Sequence, residues 1–324
     1  EPMMIVRDRR VLAANPPART LLGDHIEGTD VRLALRHPAA AERLAGDAAD
    51  EGADEAGAPT RAELVGLGGA ERPWTMHVNR LPDGSRLVRL ADLSQARAAE
   101  RMRVDFVANA SHELRTPLAS LRGFIETIQG PAKNDLKAQA RFLNIMLDQT
   151  TRMSRLVDDL LSLSRLELKS HIAPDEKVDL VPLLGHVRDA LVPLAKDVGV
   201  VINLHLPDGK VEVLGDRDEL VQVFENLMEN ACKYGQEGEV VDVWLKNGTG
   251  QPVEVSIVDK GPGIPAEHVP RLTERFYRVS IEDSRSKKGT GLGLAIVKHI
   301  LTRHRARLIV KSEVGKGTNF TVRF

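Results

Sequence analysis

The chain has 324 residues, of which 42% are hydrophobic but only 3% aromatic, so its cores are expected to use aliphatic side chains in about two or three domains. The 45 basic and 46 acidic residues give a formal net charge of -1, which provides no electrostatic reason to expect a nucleic-acid or anionic-membrane partner. The single cysteine, Cys232, excludes an internal disulfide framework and a Cys-rich zinc site.

Residues 1–94 are predicted to form a small domain of short strands and helices. The predicted elements are Met3–Val6, Arg10–Ala14, a turn at Asn15–Pro17, Ala18–Leu22, and a hairpin of strands 74–81 and 86–90 joined by the turn Pro82–Ser85. Residues 45–58 contain only Ala, Gly, Asp and Glu, and are predicted to be a mobile insertion because they offer too few large apolar groups to fold alone.

Residues 95–168 carry the apolar spacing of two long helices. The first helix is marked by Val104, Val107, Ser111, Leu114, Leu118, Leu121, Ile125 and Ile128, and the second by Met146, Met153, Leu156, Leu160 and Leu163. Gly130-Pro131 supplies the turn between them. A two-helix hairpin has an incomplete core, so the sequence predicts a homodimer in which two hairpins form a four-helix bundle.

Residues 175–324 alternate helix and strand patterns, which predicts an α/β layer architecture. Helices are expected near 180–197, 217–234 and 292–304, and strands near 200–206, 211–214, 240–246, 253–258, 307–312 and 318–324. The three parts together predict an α+β multidomain chain.

His112 lies on the first long helix, within the segment Ser111–Pro117 and one residue beyond the apolar seam. The 100° rotation per residue places its imidazole on the flank of the predicted bundle, where a second domain can reach it. A neutral imidazole is nucleophilic, and the Glu113 carboxylate could hold Nδ1–H so that Nε2 carries the lone pair. Pro117 is expected to bend the helix below this turn. The alternative is a solvated histidine without a chemical role.

The predicted helix 217–234 places Asn226, Asn230 and Lys233 on one face, with Tyr234 beside them. Carboxamide oxygens can bind Mg²⁺, a lysine can meet phosphate oxygens, and a tyrosine can lie against a purine. Helix surfaces often carry such residues without binding a nucleotide, so this face alone leaves both interpretations open.

Two glycine-rich segments follow. In Asp259-Lys260-Gly261-Pro262-Gly263 a carboxylate could accept a hydrogen bond from an adenine amino group, although a tight turn would need the same residues. Gly289-Thr290-Gly291-Leu292-Gly293-Leu294 leads into a helix, whose free N–H groups could face phosphates. The second segment lacks the G-K-[ST] ending of a P-loop and the βαβ opening of a Rossmann fingerprint.

In this order the motifs over residues 100–324 resemble those of two-component sensor histidine kinases. The matching segments are the H box Phe106–Leu121, the N box Glu225–Tyr234, the first glycine box Asp259–Gly263, the F box Glu274–Arg278 and the second glycine box Gly289–Leu294. Asp105–Asn109 and Leu272–Arg278 are most similar to the phosphate-regulon sensor kinases. The resemblance implies a Bergerat-type ATP-binding sandwich over 175–324, a histidine phosphotransfer hairpin over 95–168, and a PAS-like sensor domain over 1–94.

The resemblance also implies a role for each matching residue. His112 would be the phosphoacceptor, Glu113 its activating partner, and Thr116 the residue that orients water in dephosphorylation of the regulator, although Thr116 could instead only hydrogen-bond a carbonyl in the helix bend. Asn230 would be a Mg²⁺ ligand with Asn226 in support, and Arg278 would meet the γ-phosphate. The remaining nucleotide contacts would come from Lys233, Tyr234, Asp259, Gly261, Gly263, Lys287, Lys288, Gly289, Thr290, Gly291, Leu292 and Gly293.

On this resemblance, the chain is expected to be a homodimeric, ATP- and Mg²⁺-dependent protein-histidine kinase in phosphate-starvation signalling. It would pass its phosphoryl group to an aspartate of a response regulator and also dephosphorylate that regulator. The chain itself is expected to be soluble, because no stretch of 18 or more uncharged apolar residues occurs within it. Because it begins with Glu1-Pro2 and not with an initiator Met, a membrane anchor is expected in an upstream segment, and the chain would be the cytoplasmic portion of an inner-membrane-anchored protein.

Two departures from the family pattern stand outside the assigned residues. Lys260 occupies a position where many relatives have Asn, and His304-Arg305-Ala306 replaces the usual His-Gly-Gly. Two other functions remain possible for such a chain. An ATPase of the gyrase or chaperone type would share the sandwich but not the H box, and a non-catalytic scaffold would be expected to have lost the histidine or a glycine box.

Overall fold

The computed structural model describes residues 1–38, 40, 44, 60–69, 72–169, 172–248, 250–279 and 289–324. These divide into two units, Glu1–Val107 and Ala108–Phe324. The predicted insertion at 45–58 lies outside the described residues.

The first unit is built on a five-stranded antiparallel sheet with the strand order β2-β1-β5-β4-β3. Its elements are β1 (Met3–Arg7), β2 (Arg10–Ala14), α1 (Pro16–Leu22), α2 (Val31–Leu35), β3 (Thr60–Val65), β4 (Pro73–Arg80) and β5 (Arg86–Asp92). The core is aliphatic, as the composition predicts, and Trp74 is the one large aromatic residue among the buried hydrophobic side chains described in this unit.

Three features of this unit differ from the sequence prediction. The turn expected at Asn15–Pro17 is wrong, because Asn15 instead caps α1 by accepting from the N–H of Ala18 at 3.0 Å, with the prolines in the first helical turn. Strand β3 and helix α2 were not predicted. Strand β3 alternates exposed Arg61 and Glu63 with Ala62 and Leu64 of the core side, a short period-two pattern that the sequence analysis did not use, and it pairs with β4.

The helical hairpin consists of α3 (Ser94–Gln129) and α4 (Leu136–Lys169), which end and begin around the predicted Gly130-Pro131 turn. Pro117 lies inside α3 without ending it. The Phe124 and Phe142 rings stack across the hairpin with their centroids 5.3 Å apart.

The remaining elements form a sheet covered by helices. They are β6 (Lys177–Asp179), α5 (Leu180–Asp197), β7 (Val201–His205), β8 (Glu212–Leu214), α6 (Arg217–Tyr234), β9 (Val240–Lys246), β10 (Glu254–Asp259), α7 (Gly293–Arg303), β11 (Arg307–Glu313) and β12 (Gly317–Arg323). The main sheet has the order β11-β12-β10-β9-β7, in which only the β7–β9 pair is parallel, and β6 pairs with β8.

Helix α6 is the centre of this second layer. Its apolar side chains, Phe224 and Leu227 among them, are fully buried, and it contacts α5, α7 and strands β9 and β10. Cys232 is part of the same buried face, where burial raises the pKa of its thiol to about 11. The opposite, polar face of α6 is therefore the one left to meet a ligand.

Candidate functional site

Asp259 ends strand β10 and forms the floor of the site. The residue is only 4% exposed, and its Oδ1 accepts hydrogen bonds from the N–H groups of Gly261 at 3.0 Å and Thr318 at 3.2 Å. Burial raises the pKa of this carboxyl, while the two N–H groups oppose the shift. One oxygen is thus held by the backbone, and the carboxyl group has a fixed orientation in the site.

The first glycine box follows Asp259 in a space where only glycine fits. A Cβ on Gly261 would lie 2.5 Å from the carbonyl oxygen of Tyr234. Gly263 has φ +74°, and a Cβ there would lie 2.1 Å from the carbonyl oxygen of Glu313. These close approaches join the end of α6 to the β11–β12 hairpin, on either side of Asp259.

The polar face of α6 carries the predicted N-box residues. The Asn226 amide donates to the Gln222 carbonyl at 2.8 Å, and a Cβ on Gly293 would lie 2.4 Å from Asn226 Oδ1, so this side chain is packed against the start of α7. The Lys233 ammonium lies 2.6 Å from the Glu229 carboxylate one turn before it. The lysine assigned to phosphate is therefore already paired with a carboxylate that sequence reasoning did not single out.

The second glycine box precedes α7. Thr290 Oγ1 accepts from the Leu292 N–H at 3.3 Å and donates to Oδ2 of Asp159, on helix α4, at 2.7 Å. The pKa of Asp159 is raised by burial, against which the Thr290 hydrogen bond acts. The Leu292 side chain is fully buried in the core, which leaves only its backbone for the contact predicted with a nucleotide.

These elements enclose a cavity of about 720 Å³, within the size range of small-molecule sites. The predicted residues that line it are Asn226, Asn230, Lys233, Tyr234, Asp259, Gly263, Arg278, Gly289, Thr290, Gly291 and Gly293. Gly261 and Leu292 do not line the cavity, and Lys287 and Lys288 lie outside the described residues. The structure therefore brings most of the predicted binding residues to one concave site.

Helix α4 forms one side of this cavity, which the sequence did not predict. Arg155, Asp158 and Asp159 line it, and Arg155 lies 4.0 Å from Glu229 on α6. Farther along α4, Ser162 donates to Gln222 at 3.1 Å, and Glu167 pairs with Arg275. Acidic and polar residues on a helix surface carry no pattern that distinguishes an interdomain contact from solvation, so sequence reasoning had no means of finding this wall.

His112 is exposed on α3 and does not line the cavity. Among the described residues, none forms a hydrogen bond or ion pair with its imidazole. The expected contact with Glu113 is not present, because the Glu113 carboxylate instead accepts from Arg152 on α4 at 3.1 Å. The Thr116 hydroxyl donates to the His112 carbonyl at 3.3 Å.

Two family models match the chain, one over the hairpin that carries His112 and one over most of the domain that carries the cavity. Residues 102–169 match the His Kinase A (phospho-acceptor) domain, and residues 215–324 match the Histidine kinase-, DNA gyrase B-, and HSP90-like ATPase. The fold and site thus define a phosphoacceptor hairpin joined to an ATPase domain. The hairpin match argues against a gyrase- or chaperone-type ATPase, which has no such domain.

Known sensor proteins are similar to this chain over most of its length. The phosphate regulon sensor protein PhoR of Pseudomonas aeruginosa is 39% identical over 249 residues, which are 76% of this chain and 56% of that protein. The sensor protein kinase WalK of Staphylococcus saprophyticus is 36% identical over 72% of this chain and 38% of its own length. The chain therefore spans about half or less of these two relatives.

Solved structures agree with the sequence relatives. The Acinetobacter baumannii histidine kinase AdeS superposes with a TM-score of 0.52 at 28% identity, over 66% of this chain and 96% of that one. Histidine kinase ThkA, solved in complex with response regulator protein TrrA, superposes over 100% of this chain and 95% of that one with a TM-score of 0.54, and at 18% identity it shares the fold alone. The chain belongs to the sensor histidine kinases.

None of the helices in the described parts of the chain combines the length and apolarity needed to cross a bilayer.

Proposed function

We propose that this chain is an ATP-dependent protein-histidine kinase that phosphorylates His112 and passes the phosphoryl group to an aspartate of a response regulator. The observation that carries the proposal is the single cavity in which Asp259, the polar face of α6 and the turn before α7 converge. An adenine amino group would donate to Asp259, and the phosphates would lie toward Lys233 and the N–H groups before α7. His112, exposed on the hairpin, is the matching acceptor.

In this reaction Nε2 of His112 attacks the γ-phosphorus, the bond between that phosphorus and the β–γ bridging oxygen breaks, and ADP leaves. As the N–P bond forms, the imidazole that carries Nδ1–H gains positive charge. A carboxylate near Nδ1 favours the reaction because it stabilises this charge and then accepts the Nδ1 proton. For Glu113 to play that part it must leave Arg152. Because His112 does not line the cavity, the ATP-binding domain must also move along the hairpin before transfer.

The residues present fit a magnesium ion bound together with the nucleotide. Asn230 is half-buried on the cavity-lining face of α6, and its neutral carboxamide offers the hard oxygen that Mg²⁺ prefers. Asn226 supports this face through its hydrogen bond to Gln222. When bound, the metal neutralises developing phosphate charge.

We also infer a homodimer assembled through the hairpin. Large apolar side chains remain exposed on both helices of the described chain: Leu118, Ile125, Leu136, Leu143, Leu147, Val157 and Leu161. A second hairpin would bury them in a four-helix bundle. Measuring the solution mass by light scattering tests this, and a monomer at micromolar concentration would contradict it.

The finer assignments rest on similarity. A five-stranded antiparallel sheet with helices between β2 and β3 supports a PAS-like sensor domain over 1–94, followed by the hairpin over 95–168 and the ATP-binding domain over 175–324. The name of the PhoR relative supports a role in phosphate-starvation signalling with a regulator of the phosphate-regulon type. Dephosphorylation of that regulator is part of the same proposal, and Thr116 is the residue that would orient the attacking water.

The experiment is incubation of the purified chain with γ-labelled ATP and Mg²⁺. Label should appear on His112 as an acid-labile, base-stable phosphoramidate and move onto an added phosphate-regulon response regulator. His112→Ala should abolish labelling but keep nucleotide binding, whereas His25→Ala, at another exposed histidine, should label normally. Labelling of the His112→Ala variant would overturn the assignment.

A further inference from the structure

Tyr277 forms part of the cavity wall, and its hydroxyl lies 2.6 Å from Nδ1 of His268. Nε2 of the same imidazole lies 3.6 Å from the Glu267 carboxylate. A proton on Nε2 faces that carboxylate and leaves Nδ1 as an acceptor, so the Tyr277 hydroxyl donates to His268. His268 lies outside every motif that the sequence assigns to the nucleotide.

Arg271 holds the Tyr277 ring at one of its faces. Its guanidinium carbon lies 4.2 Å from the centroid of the Tyr277 ring, which is within cation–π distance. The Glu274 carboxylate holds the guanidinium in place with a hydrogen bond of 3.1 Å. The ring is therefore held both at its hydroxyl and at one face.

The backbone before Tyr277 is constrained as well. Phe276 has φ +62°, a left-handed conformation that is strained for a residue with a side chain. Its N–H donates to the carbonyl of Gly291 at 2.9 Å, and a Cβ on Gly291 would lie 3.0 Å from Phe276 Cα. The second glycine box thus packs directly on the backbone of Phe276, the residue before Tyr277. Beyond this contact, the side-chain contacts of Tyr277 determine the path of the backbone.

Arg278, the residue after Tyr277, lines the cavity. One of its terminal nitrogens lies 4.0 Å from the place that a Cβ on Gly289 would occupy, and the Tyr234 hydroxyl lies 3.5 Å from the same point. The guanidinium is therefore at the turn assigned to the phosphates. Any rotation of the Tyr277 backbone moves it.

We propose that His268 is a positioning residue of the nucleotide site: by accepting from the Tyr277 hydroxyl it fixes Tyr277 as a wall of the cavity and aligns Arg278 with the terminal phosphate. This inference rests on the proposed function, in which Arg278 meets the γ-phosphate. It specifies that His268 affects the binding affinity for nucleotides that carry a γ-phosphate and not the affinity for ADP. A histidine that only stabilised the fold would not distinguish between the two.

The test measures binding of ADP and of the non-hydrolysable ATP analogue AMPPNP to the whole chain with Mg²⁺ by calorimetry. Tyr277→Phe removes the hydroxyl and keeps the ring. His268→Leu removes the acceptor at similar size, and His268→Asn keeps an oxygen at the place of Nδ1. His25→Leu, at an exposed histidine of the first unit, is the matched control.

AMPPNP should bind about five- to tenfold more weakly to Tyr277→Phe and His268→Leu, the effect of about one lost hydrogen bond, while ADP binding changes less than about twofold. His268→Asn should recover most of the lost affinity. The double variant His268→Leu with Tyr277→Phe should bind AMPPNP no more weakly than either single variant. Equal loss for both nucleotides, additive losses, or unchanged AMPPNP binding would each overturn the inference. Failure of the unaltered chain to bind AMPPNP would overturn the proposed function itself.

Discussion

The Asp159 carboxylate on helix α4 accepts a hydrogen bond from the Thr290 hydroxyl at 2.7 Å, which joins the phosphoacceptor hairpin to the glycine turn of the ATP-binding domain. Glu229 and Asp158 add negative charge at the same side of the cavity. The hairpin thus places carboxylates beside the turn that is proposed to hold phosphates. Arg155 on α4 also lines the cavity and offsets one of the two α4 carboxylates, so this wall keeps one net negative charge that disfavours nucleotide binding in the docked arrangement.

Asp159→Asn should strengthen binding of ATP, because it removes one negative charge and leaves a group of the same shape. Two unit charges ~8 Å apart at an effective dielectric constant of ~20 repel by about 2 kcal/mol, and screening reduces this to a gain of about three- to tenfold in affinity. Calorimetry with AMPPNP measures it. Asp148→Asn makes the same charge change on α4, 11 residues or about 17 Å away, and should have little effect.

The same contact predicts a pH dependence. Burial raises the pKa of Asp159 above the ordinary value of 3.8, so the carboxyl gains its proton at a higher pH in the folded chain than in the unfolded chain. The cost of burying its charge is fully present above the raised pKa and disappears as the pH falls through that value. A protonated Asp159 no longer repels phosphates, so the affinity advantage of Asp159→Asn should shrink on acidification. An advantage that stays constant as the pH falls through the range in which carboxyl groups titrate would contradict the contact.

Thr116→Ala should slow dephosphorylation of the response regulator by about tenfold and leave autophosphorylation of His112 unchanged, because the hydroxyl is proposed to orient a water and to take no part in attack on ATP. In the structure this exposed hydroxyl donates only a long hydrogen bond of 3.3 Å to the His112 carbonyl, which a docked regulator can replace. Both rates are measured on one preparation, with Thr116→Ser as the variant that keeps the hydroxyl. A parallel loss of both rates, or no loss, would reduce Thr116 to a residue of the helix bend.

Asn230→Ala should weaken ADP binding by about tenfold or more in the presence of Mg²⁺ and have little effect in EDTA, because the lost oxygen is proposed to be a ligand of the metal and not of the nucleotide. Asn230→Asp should retain metal dependence. Asn144→Ala, at an exposed asparagine on α4, is the control. Equal loss with and without Mg²⁺ would show that Asn230 contacts the nucleotide directly.

Arg305→Gly should stabilise the chain. Arg305 follows α7 with φ +54°, its N–H donates to Thr302 at 3.1 Å, and the N–H of Ala306 donates to Leu301 at 2.9 Å. These bonds form a helix C-terminal motif whose left-handed position favours glycine, so Arg305 carries strain where the family pattern has glycine.

Glycine should raise the free energy of unfolding of the ATP-binding domain by about 0.5–1 kcal/mol, after its greater freedom in the unfolded chain is counted. Denaturant unfolding followed by circular dichroism measures the change. Arg307→Gly, two residues on in strand β11, should have the opposite sign, because glycine weakens a strand. A destabilised Arg305→Gly variant would show that the arginine side chain itself contributes to stability.

Local patterns determined much of the ATP-binding domain. Helix α6 begins and ends as the sequence predicts, because Asp216 accepts from the N–H groups of Asp218 and Glu219 and Gly235 follows the last turn, so both boundaries are set within a few residues. The hairpin turn after Gln129 follows from Gly130-Pro131 in the same way. The glycine boxes were placed by their resemblance to the family's motifs, and the structure supplies the reason for glycine at positions such as Gly263, where a Cβ would meet a backbone carbonyl.

Tertiary structure alone decided what surrounds those motifs. The Lys233–Glu229 and Glu113–Arg152 contacts redirect side chains to which the sequence had assigned other partners. Asp159 and Thr290 are 131 residues apart, and no periodicity or cap relates them. Periodicity and capping act over a turn or two of chain, whereas the partner of a surface carboxylate depends on the angle and distance at which one folded element lies against another.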